Sequence, residues 1–406
     1  MAKAESVGMS TNGLRRIHEV MQKHMDAGNI QGAVTAVARR GKVVHFSTHG
    51  DMNVEKGREI EPDAIFRMAS STKAVLGVAA MIAVEEGLMS PNDPVSKYIP
   101  EFADMKVAVP VGPADGKVKS ASKAKPKSKS KGKEIPAHRL VPVDTPVTIH
   151  HLLTHTSGLR SGGLGSKVDQ VEPATADQTL AEYIPKLGKV PLDFQPGTQR
   201  AYSPITGLDV VARIIEIVTE TPFNEFLQER VFNPLEMNNT YFRVPGEKQS
   251  KLVVITSSIK GKTNKKPKKA IQGSPRYFSA SAGLSSSAED YLHFQQMLLD
   301  DGEFFGRRVL SPESVKMMSS NQAANVPIYG LKARKGIGAG YTVSVTLDPK
   351  VANDYRGKGA FGGGGAFGTV SWTDPENDLV AVIMVQQPRG GMQLDFAKAI
   401  HQAIIE

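Results

Sequence analysis

The 406-residue chain contains no cysteine. That excludes disulfides, a thiol nucleophile and cysteine-ligated metals, and it leaves the redox compartment open. No run of about 18 apolar residues occurs, so no transmembrane helix is expected. The first 30 residues, which include Arg15-Arg16, lack the apolar stretch of a secretory signal. The expected location is therefore the cytoplasm, or the periplasm or exterior if a signal was removed. No Gly-x-Ser-x-Gly elbow is present, which argues against an α/β-hydrolase. His150 and His151 are adjacent rather than three or four apart, so they do not make a helical metal pair. No metal and no cofactor is expected, and no internal repeat is visible.

The net charge of +9 is concentrated in two places. Lys117 to Lys133 holds eight lysines and no acid, and Lys260 to Lys269 holds six lysines and no acid. Without those fourteen charges the rest of the chain is mildly acidic, at a formal −5. A basic surface over the whole protein is not implied. Neither segment carries an aromatic residue to stack on bases, so specific nucleic-acid recognition is not expected. At most these lysines give weak, salt-dependent contact with a polyanion. Residues 114–134 are low-complexity Lys, Ser, Ala and Pro and read as a loop insertion, as do residues 259–272.

Forty per cent apolar residues suffice for a substantial core, and the length favours two lobes or one large domain with insertions. Ser10 reads as the cap of a first helix, with Leu14, Ile17, Met21 and Met25 on one face. Residues 32–38 and 42–46 flank Arg39-Arg40-Gly41 as a β-hairpin. Lys73 to Glu86 is an apolar helix stopped at Gly87. Helical patterns recur at 149–153, 179–187, 205–219 and 223–231, and strand patterns at 338–347, 368–373 and 379–385. Residues 394–405 read as a terminal helix. The expected fold is α/β (α+β): an antiparallel sheet flanked by helices and built from both chain ends, with a mostly helical second lobe. Residues 1–70 and 275–406 would form the sheet domain and 71–274 the helical one, with the active site between them.

Ser70-Ser71-Thr72-Lys73 places a hydroxyl and an amine three residues apart, on one face of a helix. A serine hydroxyl attacks poorly until a neighbouring base takes its proton. A lysine serves as that base if desolvation or a nearby cation lowers its pKa. The pattern Ser-x-x-Lys occurs six times, starting at Ser70, Ser120, Ser122, Ser128, Ser130 and Ser257. Only Ser70 follows an apolar strand-like segment and opens an apolar helix. The other five lie in or beside lysine-rich segments, where such matches arise from composition.

Four segments in order extend this match. Phe66-Arg67-Met68-Ala69-Ser70-Ser71-Thr72-Lys73 resembles the nucleophile motif of class C β-lactamases and family VIII carboxylesterases. Leu152-Leu153-Thr154-His155-Thr156-Ser157-Gly158-Leu159 is similar to the same superfamily's "LLTHTSGL" segment. Pro196-Gly197, followed by Tyr202-Ser203, resembles its tyrosine motif. Gly362 to Thr369, followed by Trp372-Thr373-Asp374-Pro375, is similar to its third strand motif. The resemblance to the serine β-lactamase and penicillin-binding-protein superfamily covers roughly residues 10–405.

This resemblance implies that Ser70 forms an acyl-enzyme and that Lys73 accepts its proton. Tyr202 would exchange protons with the nucleophile, the leaving group and the incoming water, with a phenol whose pKa neighbouring polar groups lower. The backbone N–H groups of Ser70 and Ala366 would form the oxyanion hole, and Gly363, Gly364, Gly365 and Pro204 would line the substrate. His155 is implied to hold a turn rather than to catalyse.

Two positions depart from the β-lactamase pattern. Tyr-x-Asn is here Tyr202-Ser203-Pro204, and the Lys, His or Trp that usually opens the third motif is here Gly363. Proline offers no amide for a substrate amide, and glycine no charge for a substrate carboxylate. The expected function is therefore a serine carboxylesterase acting on small, short-chain esters, with acyl transfer to alcohols open to the same intermediate. The alternatives are a β-lactamase or D-amino-acid-releasing peptidase, and a non-catalytic binding protein of the same fold.

Overall fold

A computed structural model describes residues 1–111, 135–175, 177–255, 258–259, 262–263, 276–324, 326–328, 334–386 and 391–405. The 114–134 insertion lies outside the described residues. So does the 259–272 insertion, apart from the backbone of residues 259, 262 and 263.

Helix α1 (Thr11–Asp26) begins where Ser10 Oγ accepts the Gly13 N–H, as its sequence predicts. Strands β1 (Gly32–Arg39) and β2 (Lys42–Asn53) form the hairpin, and Arg58–Glu59 adds β3 at its edge. After α2 (Thr72–Glu85), α3 (Ile149–Leu153), α4 (Gly207–Thr219), α5 (Ala288–Leu299) and α6 (Pro312–Ser319), the chain returns to the sheet. There it adds β4 (Ile337–Ala339), β5 (Ser344–Thr346), β6 (Phe361–Gly364), β7 (Val370–Asp374) and β8 (Leu379–Val385), and it ends in α7 (Met392–Ala403). The sheet order is β4-β5-β6-β7-β8-β1-β2-β3, with every neighbouring pair antiparallel. The central pairing of β8 with β1 joins the two ends of the chain, as expected.

Strands β1 and β8 are buried along their whole length. Their alternate residues serve two cores. Ala33, Val37, Ala381, Ile383 and Val385 face α1 and α7. Val34, Ala36, Val380, Val382 and Met384 face the other side, in a core continuous with α2, α4 and α5. This is a mixed α/β architecture with one large antiparallel sheet flanked by helices. Among the described residues no helix is long and apolar enough to cross a membrane.

Three expected elements differ. Residues 338–347 are two short strands, not one. Gly340 N–H bonds the Val343 carbonyl across a turn, and Thr342 takes φ 66. Residues 179–187 shorten to a helix at Leu180–Tyr183 followed by a 3-10 turn at Ile184–Lys189, because Pro185 supplies no N–H to the α ladder. The helix begun at Phe223 is α-helical only to Leu227 and then widens to a π turn over Gln228–Phe232.

Candidate active site

The short strand Phe66–Arg67 pairs with Ser285–Ser286 and leads into a tight turn before α2. Ala69 takes φ 45, a left-handed conformation that a non-glycine residue adopts at a cost. It gives a 3-10 turn over Ala69–Ser71, and Ser70 emerges from that turn at the start of α2. Every residue from Thr72 to Ala83 is buried. Each large side chain there, such as Val75, Leu76 or Ile82, contributes roughly 1.5–3 kcal/mol by leaving water. That burial anchors the helix and carries Lys73 into the interior with it.

Lys73 is 3% exposed. Its Nζ lies 3.2 Å from Ser70 Oγ, 2.9 Å from the Pro204 carbonyl and 2.6 Å from the Ser281 carbonyl. Desolvation pushes its pKa down to about 8, against the opposing pull of the Asp209 carboxylate. The net effect disfavours the ammonium by about 3 kcal/mol. At pH 7 roughly one molecule in ten carries the neutral amine, against roughly one in a few thousand for an ordinary lysine. A neutral amine has two N–H groups and one lone pair. The two carbonyls take both N–H groups, so the lone pair is left facing the Ser70 hydroxyl.

Tyr202 donates its hydroxyl to Ser70 Oγ at 2.7 Å. The expectation of a lowered tyrosine pKa is overturned. Burial raises it, and the hydrogen bond with Ser70 only partly offsets this. Tyr202 is thus a protonated donor near neutral pH, and Lys73 is the group of the pair able to accept a proton.

His155 holds this arrangement from behind. It is buried and its pKa falls to about 3, chiefly by desolvation. Its Nδ1 accepts the Ser203 N–H at 3.4 Å and its carbonyl accepts the Ala201 N–H at 3.0 Å. Its ring lies 4.9 Å from that of Tyr202. It clamps residues 201–203, and among the described residues it makes no hydrogen bond with Ser70. His151 closes a capping box on α3, and His150 bonds Tyr341.

The glycine-rich strand β6 runs beside the Ala69–Ser71 turn. At Gly365 a Cβ would stand 2.0 Å from the Met68 carbonyl oxygen, so only glycine permits this approach. Thr369 Oγ1 ties the same carbonyl at 3.2 Å and meets Ser71 Oγ at 2.9 Å. At Gly363, in contrast, a Cβ would meet nothing within 4 Å. Pro204 and Ile205 are exposed at the site's edge, Ile205 by 62%. Ser70, Lys73, Tyr202 and Pro204 thus converge directly, and Gly365 docks on the residues that precede Ser70. Among the described residues, neither the Ser70 nor the Ala366 N–H donates to another protein group. A cavity of about 540 Å³ beside α5, α6 and Phe361 includes none of these residues.

The sequence reading missed Asp209. This carboxyl is fully buried in the first turn of α4, seven residues after Tyr202. Its signal was an acid at the start of an otherwise apolar helix, Gly207-Leu208-Asp209-Val210-Val211.

The Beta-lactamase family model matches residues 17–403. Protein Rv1367c of Mycobacterium tuberculosis is 32% identical over 381 residues, covering 89% of this chain and 87% of that protein. Esterase EstB of Burkholderia gladioli is 27% identical over 413 residues, covering 96% of this chain and 94% of its own length. The solved structure of EstCE1, titled a hydrolase with promiscuous acyltransferase activity, superposes with a TM-score of 0.72 at 22% identity. It covers 96% of this chain and 99% of that one. With a serine, a buried lysine and a tyrosine meeting at one oxygen, and a family match over nearly its whole length, the chain belongs to the β-lactamase family of serine hydrolases.

Proposed function

We propose that this protein is a carboxylesterase that cleaves small, short-chain, neutral esters through an acyl-enzyme on Ser70. The observation that carries the reading is the bracketing of Ser70 Oγ by Lys73 Nζ at 3.2 Å and Tyr202 OH at 2.7 Å. Neutral Lys73 takes the Ser70 proton as Oγ attacks the ester carbonyl. The developing oxyanion is held by the N–H groups of Ser70 and Ala366. Tyr202 gives its proton to the departing alkoxide and regains one from the Lys73 ammonium. Water then attacks the acyl-enzyme carbonyl as Lys73 takes one of its protons; the tetrahedral intermediate collapses, Lys73 passes that proton to the departing Ser70 Oγ, and the carboxylic acid leaves with the enzyme restored. An alcohol in place of water yields a new ester. The names of esterase EstB and of EstCE1 support the same chemistry.

The substrate class follows from what surrounds the serine. Pro204 contributes a carbonyl to Lys73 and no donor to a substrate amide. Gly363 faces open space where a cation would bind a carboxylate. Pro204 and Ile205 add an apolar rim. A β-lactam meeting this site loses one charge-assisted hydrogen bond, worth about 1.5–3 kcal/mol, and one neutral amide hydrogen bond, worth about 0.5–1.5 kcal/mol, or roughly one and a half to three orders of magnitude together. Turnover of p-nitrophenyl acetate and nitrocefin by the same preparation tests this. The expected kcat/KM for the ester exceeds that for nitrocefin by at least about one and a half orders of magnitude. Comparable values would reject the assignment in favour of a β-lactamase or peptidase. Turnover of neither, with Ser70 inert, would favour a binding protein of this fold.

A further inference from the structure

Asp209 takes no part in the chemistry above, yet it is a fully buried acid with an extensive set of donors. Its Oδ1 accepts the Ser281 N–H at 2.8 Å and the Ser279 hydroxyl at 3.1 Å. Its Oδ2 accepts the Tyr277 hydroxyl at 3.0 Å. Lys73 Nζ donates to the carbonyl of the same Ser281 at 2.6 Å. Asp209 and Lys73 therefore grip one residue from two sides, Asp209 by its N–H and Lys73 by its C=O.

We propose that Asp209 is the positioning residue for Lys73: it fixes the Ser281 carbonyl that orients the amine, and it sets a buried carboxylate behind that peptide. The proposal rests on the Ser70–Lys73 reading and is independent of which ester is cleaved.

Two physical effects are combined here. The first is geometric. The lone pair of neutral Lys73 faces Ser70 only while both carbonyls, of Pro204 and Ser281, hold its two N–H groups. Loosening the Ser281 backbone frees the amine to rotate. The second is electrostatic. A carboxylate in a low-dielectric interior favours the ammonium form of a nearby lysine. Among the described residues the side chains facing Lys73 are Ser70, Tyr202, His155 and Asp209, and of these only Asp209 is negatively charged near neutral pH. The ionisable group facing Asp209 besides Lys73 is Tyr277, which packs on Tyr183, and Tyr183 is bonded by Arg160. Burial raises Asp209 to about 6, so it is charged where Lys73 titrates.

The test is the pH dependence of the rate at which a fluorophosphonate labels Ser70, a reaction that requires no ester substrate. In wild type the rate rises as Lys73 loses its proton. In Asp209→Asn the amide removes the charge, so the rising limb moves to lower pH. The plateau rate falls on the order of tenfold, because the loop is held less firmly. Tyr277→Phe leaves Asp209 in place but removes a donor that keeps it ionised, so the limb moves in the same direction by less. A folded Asp209→Asn enzyme whose limb stays in place, or moves to higher pH, overturns the proposal. A uniform loss of rate with the limb unmoved also overturns it, because that is a purely structural effect. If Asp209→Asn does not fold, an unmoved limb in Tyr277→Phe is decisive against it. Failure of wild-type Ser70 to label would sink the Ser70–Lys73 reading. Labelling without ester turnover would sink only the substrate assignment.

Discussion

The two walls of this site are built on opposite principles. On the side of α2 and residues 201–204, polar atoms are buried and committed. Lys73 has three partners, Tyr202 donates to Ser70, and His155 and Asp209 support them from behind. On the side of β6 the chain presents a run of glycines, tight at Gly365 and empty at Gly363. Groups that move protons must be held within a few tenths of an ångström, and burial is what shifts their pKa values. Groups that choose a substrate need only shape a space. On the proposed reading the contrast separates chemistry from selectivity: the crowded wall would fix what the serine can do, and the open wall would leave room for neutral acyl groups.

Breaking the crowded wall gives the largest effect. Lys73→Ala and Tyr202→Phe should each lower kcat for a short ester by about two to four orders of magnitude. Their double variant should be little worse than the poorer single, because the two groups serve one proton network. In wild type kcat/KM should climb with pH and level off above about 8, since burial depresses Lys73 and the neutral amine is the active form. Steady-state kinetics across pH reads both; additive losses, or an optimum on the acid side, would contradict the assignment of Lys73 as base.

Within the open wall the two glycines should part company. Gly365→Ala forces a Cβ against the Met68 carbonyl, and it should destabilise the fold by about 1–3 kcal/mol and lower activity. Gly363→Ala meets empty space in a strand, and it should be neutral or up to about 1 kcal/mol stabilising. Denaturant midpoints of the two variants measure the difference. Equal effects would mean that the wall is not divided as described.

The smallest effect is expected from the lysine-rich segment. Replacing residues 115–133 with a short Gly/Ser linker should leave kcat on small esters within about twofold, under roughly 0.5 kcal/mol. Retention on heparin at low salt should fall, since the eight lysines there act through counterion release. A large loss of esterase activity would instead tie this segment to the substrate pocket.

How much of this was legible in the sequence depended on whether a feature is local. The Ser70–Lys73 pairing is an i, i+3 relation on one helix and could be read directly. The meeting of Tyr202 with Ser70 spans 132 residues and was available only through the resemblance of ordered motifs. Strand β8 and helix α2 were read closely because unbroken apolar runs have one good outcome, burial. The split of residues 338–347 was not readable, because it depends on Thr342 adopting a left-handed backbone that its side chain disfavours. The direction of the Tyr202 pKa was missed for a related reason. Adjacent motifs reveal the polar neighbours, but the desolvation that outweighs them comes from distant packing. Asp209 escaped notice because an acid in a first helical turn is ordinarily a solvent-facing complement to the helix dipole.

The central claim, that Ser70 is the nucleophile, is tested most directly by mass spectrometry after labelling with an active-site fluorophosphonate. Trypsin cleaves after Arg67, so the modified peptide should run from Met68 to Lys73 with the phosphonyl group on Ser70 or Ser71, and fragmentation should place it on Ser70. Ser70→Ala should abolish labelling and lose several orders of magnitude in kcat while its circular dichroism and denaturant midpoint stay native. Label on another serine, or a folded Ser70→Ala variant with full activity, would contradict the account.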